Sequence, residues 1–63
     1  MVIKNVIKME SRLVIVFDEN GDQSPEYQGH YDDVKEKILR DAPADAIFTH
    51  IVTTPMPVKR EDW

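Results

Sequence analysis

The residues best able to do chemistry gather between Glu26 and Asp33, where His30 stands near three carboxylates, Glu26, Asp32 and Asp33. An imidazole beside carboxylates is a candidate ligand set for a divalent metal and a candidate general base. The spacing argues against a dedicated site. Neither an H-x₃-H nor an HExxH arrangement occurs, and the second histidine, His50, lies in a distant stretch. His30 reads first as a surface residue at the mouth of a helix. The alternative is a metal- or small-ligand-binding accessory protein using Glu26, His30, Asp32 and Asp33.

A second acidic run, Asp18-Glu19-Asn20-Gly21-Asp22, invites comparison with a calcium loop. An EF-hand places ligands at positions one, three and five, glycine at six and a bidentate glutamate at twelve. Counting from Asp18, Asn20 and Asp22 fit, but position six is Gln23 and position twelve is Gly29. The frame fails, and a solvated hairpin tip explains the same residues through the tolerance of Asn and Gly for positive φ.

Nucleophilic catalysis finds little support. The chain has no cysteine, and Ser11 and Ser24 fall in turns rather than on a strand-to-helix elbow. Gly21 and Gly29 cannot build a phosphate-cradling loop. No cofactor motif is present, and the reading leans away from an enzyme. Lys4, Lys8 and Arg12 form a small basic cluster, read as solubilising guards on a strand. The net charge of -4 opposes general binding to nucleic acid or to an anionic membrane, both of which need a positive field.

The elements that must position these groups follow from hydrophobic periodicity. Val2 to Met9 reads as a strand, and Arg12 to Phe17 as another, joined through Glu10-Ser11. The Asn-Gly turn reverses the chain, and Gln23 to Tyr27 is expected to return as a short edge strand, since Pro25 removes a donor. A helix is expected over Tyr31 to Asp41, with Tyr31, Val34, Ile38 and Leu39 on one stripe. Asp33 and Glu36 have capping-box spacing, and Pro43 stops the helix. Ala46 to Thr53 is the last expected strand. The sum is an α+β fold, a two-layer ββ(β)αβ sandwich with an antiparallel-rich sheet of three or four strands and one helix. If the short strand forms, the last strand runs parallel to the first. Residues 1–54 are expected to form the single domain. Residues 55–63, with Pro55 and Pro57, are expected to run on as an extended tail.

The size of the chain makes one feature of these strands consequential. At 63 residues without cysteine, a lone domain buries only about 60% of its unfolded surface and has no disulfide to reinforce it. Yet Leu13, Ile15 and Phe17 alternate with Val14 and Val16, so this strand is apolar on both faces. One helix covers one face. The other needs a twin subunit, a partner, or the chain's own tail, whose last residue, Trp63, is its only tryptophan. The expectation is a small, non-enzymatic, self-associating interaction module, a homodimer by preference. Val14, Val16, Phe48, Val52 and Trp63 are the candidate interface. His50, beside Phe48 and Val52, would then weaken that interface on protonation. With no apolar run near the roughly 20 residues that span a bilayer, and no signal peptide, a cytoplasmic location is the default.

Overall fold

A computed structural model describes residues 2–63. Among them, five strands form one mixed sheet with a single α-helix on one face. Strands β1 (Ile3–Met9) and β2 (Leu13–Asp18) pair antiparallel, and the short β3 (Gly29–His30) pairs antiparallel with the other edge of β2. Helix α1 (Tyr31–Asp41) then crosses to β4 (Ile47–Ile51), which lies parallel to β1, and β5 (Pro55–Val58) closes the far edge. The spatial order is β3-β2-β1-β4-β5. The expected α+β two-layer architecture is what forms, with two more edge segments than the periodicity alone delimits.

The β1–β2 hairpin closes through a hydrogen bond from the Arg12 amide to the Met9 carbonyl at 2.8 Å. Arg12 takes φ 69°, the left-handed conformation that ends a three-residue hairpin loop. The acidic turn is closed by the Asp18 carboxylate, whose Oδ1 accepts from the amides of Asn20 at 2.9 Å and Asp22 at 3.0 Å. Gly21, at φ 83°, supplies the turn's left-handed residue.

Three expectations are corrected. The third strand is not Gln23–Tyr27: Pro25, with its fixed φ and missing N–H, starts a 3₁₀ turn over Pro25–Tyr27. Gln23 does bridge Phe17, and the Ser24 amide donates to the Val16 carbonyl at 2.9 Å, but the ladder with β2 resumes only at Gly29–His30. The helix cap is His30 rather than Asp33, the Asp32 amide donating to His30 Nδ1 at 3.3 Å. The prolines of the tail do not keep it out of the sheet. Two residues apart, Pro55 and Pro57 point their missing donors at the same edge, the outer one, and β5 pairs with β4 from Ile51↔Pro55 to Phe48↔Val58.

Register decides which strand residues meet the helix. Val6 lies beside Val16 and Phe48, and these with Val14 pack under Val34 and Ile38 of α1. Val6, Val14, Val16 and Ile38 are fully buried. A register shift between Ile3 and Asn5 rotates Ile3 onto the same side, so it joins this core rather than the face of Ile7 and Met9.

Candidate functional site

The opposite side of the sheet carries Asn5, Ile7 and Met9 of β1 and Leu13, Ile15 and Phe17 of β2. It continues through Ile47, Thr49 and Ile51 of β4 and Pro55 and Pro57 of β5. Cross-strand partners bind this set together, with Ile7 beside both Ile15 and Thr49, and Met9 beside Ile51. Among the described residues, nothing packs across it. Leu13 is 45% exposed and Ile47 49%, while Ile7, Ile15 and Phe17, nearer the middle, are half-buried by their neighbours alone. Its centre, Ile7, Ile15 and Phe17, carries no charge, while Lys4 at the bulge and His30 opposite Leu13 stand at its margins.

The candidate interface expected from the sequence therefore divides. Val14, Val16 and Phe48 do share a face, but it is the one under α1, with exposures of 0%, 0% and 3%. Those three are core, not surface. Val52 lies just past β4 and is exposed. Trp63 is buried at 5%, folded back on the helix side. The tail thus packs on the inner face beside α1, and among the described residues none packs across the outer face.

The seat of Trp63 is built from three remote segments. Its ring meets Tyr31 edge-on at 5.1 Å between centroids and Phe48 at 5.0 Å. Its main-chain oxygen accepts from the Tyr31 hydroxyl at 2.7 Å and from the Lys8 ammonium at 3.2 Å. Arg60 donates to the Pro43 carbonyl and lies over the Phe48 ring, fixing the preceding turn. The indole Nε1 finds no acceptor among the described residues, so the seat reads an aromatic shape.

Around Tyr31 stand Lys8, Arg12 and Lys35, at 4.3, 4.7 and 5.3 Å from the ring centre. Lys8 and Arg12 of the expected basic cluster are thus brought together by a cation–π contact that screens a core tyrosine. Lys4 lies apart, 3.7 Å from Asp45.

The metal alternative is not assembled. His30 Nδ1 caps the helix and lies 3.6 Å from Asp32, whose other oxygen pairs with Arg12 at 3.0 Å. Glu26 is turned into the 3₁₀ turn, its carbonyl accepting from Lys37 at 2.7 Å. Among the described residues no group of three or more His, Asp or Glu is placed to hold a metal, and no pocket opens on the surface. His50 lies on the helix side beside Lys8 and Met56, half-buried. No helix among the described residues is long and apolar enough to cross a membrane.

One polar pair carries shifted acidities. The Tyr27 hydroxyl donates to Asp41 Oδ2 at 2.6 Å, and this hydrogen bond, with burial, pushes the tyrosine up to about 12. Asp41 is held below the usual carboxylate range, first by Arg40 and then by Tyr27. The pair fastens the 3₁₀ turn to the last turn of α1. That role is structural.

Comparison of the chain with protein-family models, with curated proteins and with solved structures gives no match in any of the three.

Proposed function

We propose that the protein is a small interaction module that self-associates through the outer face of its sheet, two copies packing face to face. The observation that carries this reading is the apolar surface centred on Ile7 and Ile15, opposite the helix. Each copy bears a net charge of -4, but the centre of the face, Ile7, Ile15 and Phe17, contributes none of it, so twins can meet there without burying like charges. Strand addition at an edge is the competing mode, and both edges are poor templates. One is the two-residue β3 and the other is β5, whose outer side lacks the donors of Pro55 and Pro57. The face remains.

Its size sets the expected strength. Five strands at about 4.8 Å spacing and about 3.3 Å per residue give a face of roughly 20 by 20 Å, or about 400 Å² in projection. Two such faces fall below the roughly 1,200–2,000 Å² total of a standard stable interface. The expected dimer is weak, forms at micromolar concentration or above, and has a twofold axis that brings each Ile7 near its copy. Sheets paired this way stack about 10 Å apart with strands within about 30°.

Sedimentation velocity from micromolar to millimolar protein tests the reading. The sedimentation coefficient is expected to rise with concentration for the natural sequence and to stay monomeric for Ile7→Lys. A monomer unchanged to millimolar concentration overturns it. A natural protein that dimerises equally well with Ile7→Lys removes the face from the account.

A further inference from the structure

We infer that the arm from Pro55 to Trp63 is exchangeable between copies, so that a second chain can seat its own Trp63 against Tyr31 and Phe48. The arm is attached to the rest of the fold by Val52–Thr54, a three-residue irregular link whose residues are all exposed. Everything holding the arm is a contact that a twin's identical arm reproduces. These contacts are the β4–β5 ladder, the two edge-on rings, the Lys8 and Tyr31 hydrogen bonds to the Trp63 oxygen, and the Arg60 contact with Pro43. Exchange therefore leaves the set of interactions unchanged and alters only the link.

The link itself leans toward opening. Thr54, the last residue of the link, precedes Pro55, and the residue before proline is driven to extended backbone. In the closed form the chain must reverse between Ile51 and Pro55 to lay β5 beside β4. In the exchanged form the link runs straight on, the extended conformation that Pro55 favours at Thr54. Opposing this, the arm's own seat is always near, at an effective concentration in the millimolar range for a short linker. Exchange is thus expected at protein concentrations approaching that value, or when the chain folds at such concentrations, and not in dilute solution. This mode is separate from the face-to-face pairing, since it uses the inner face and the arm.

The absence of cysteine permits a clean test. His50 and Met56 are cross-strand partners between β4 and β5, within the span a disulfide bridges. The double variant His50→Cys with Met56→Cys is refolded at millimolar and at micromolar concentration, oxidised, and run on a denaturing gel without reductant. A covalent dimer after concentrated refolding and a monomer after dilute refolding are the expected results. Monomer alone in both overturns the inference. The natural sequence supplies a second readout if the variant does not fold. Isotope-filtered NMR on a concentrated, co-refolded mixture of labelled and unlabelled chains is expected to show contacts between the Trp63 indole and the Phe48 ring of a different chain. Their absence in a sample that is otherwise folded overturns it equally. A dimer detected by sedimentation but lacking both signals leaves face pairing in place and removes exchange.

Discussion

The hydroxyl of Tyr31 donates to the main-chain oxygen of Trp63 at 2.7 Å, and the two rings meet edge-on at 5.1 Å. The first residue of the helix is thereby tied to the final residue of the sequence, 32 positions away. Through this tie a tail rich in proline becomes part of the core.

Tyr31→Phe keeps the ring and deletes the donor. A loss of about 1–2 kcal/mol is expected, because the Trp63 oxygen keeps only Lys8. Urea denaturation followed by tryptophan fluorescence measures it. A change within error would show that the aromatic contact alone seats the tail.

Trp63→Ala and Trp63→Phe separate ring volume from indole chemistry. Truncation to alanine is expected to remove about 3–5 kcal/mol. A single core this small yields about that much in total, so the variant should be largely unfolded. Phenylalanine should retain most of the stability, since the indole N–H has no acceptor among the described residues. Circular dichroism melts of both variants decide the point. Equal losses would show that the seat needs the full indole and that a phenyl ring cannot fill it.

The two sides of the sheet should respond oppositely to truncation. Ile38→Ala, at a fully buried position, is expected to cost about 2–5 kcal/mol. Leu13→Ser, on the outer face, should change monomer stability by no more than about 0.5 kcal/mol. Denaturation in dilute solution is the measurement, because association at high concentration would add stability to the natural sequence.

Arg12 occupies φ 69°, where a side chain costs roughly 1 kcal/mol and glycine nothing. Both Arg12→Ala and Arg12→Gly lose the exposed pair with Asp32 and the contact with Tyr31. Only alanine keeps the strain. The glycine variant is therefore expected to be more stable than the alanine variant by about 1 kcal/mol, the reverse of the order within a strand or helix. Thermal melts of the pair test this.

The Tyr27–Asp41 pair predicts the alkaline limb of the stability curve. Folding raises the tyrosine from its ordinary 10.0 to about 12, so its contribution is complete below pH 10 and is lost as pH climbs through 12. Asp41 works in the other direction. Its lowered value makes its contribution complete above the ordinary carboxylate range and lost as pH falls through the depressed value. Melting temperatures from pH 8 to about 12 should decline less steeply for Tyr27→Phe than for the natural sequence. Parallel curves would show that the pair is not linked to folding.

Local periodicity made much of this fold legible. Val34 and Ile38 announce the helix, and its ends fall where Tyr31, Asp41 and Pro43 place them. The alternation Leu13 to Phe17 announces a strand with two apolar faces. Which face meets the helix is a matter of register, and register depends on pairings between β1, β2 and β4 that no single segment encodes. The alternation groups Val14 with Val16, but only register places Phe48 beside them and all three under the helix. Ile3 joins the core only because a bulge breaks the period of two, which the sequence does not mark. Trp63 is invisible to periodicity altogether, being one residue whose seat is assembled by Lys8, Tyr31 and Phe48. Pro55 and Pro57 misled because their exclusion from central strands does not extend to an outer edge.

The two-residue β3 and the proline-bearing β5 bound the sheet on either side. A further chain finds no row of free amides there on which to lay a strand, and so the template for cross-β growth is missing. Growth of the sheet by strand addition is thus hindered at both margins.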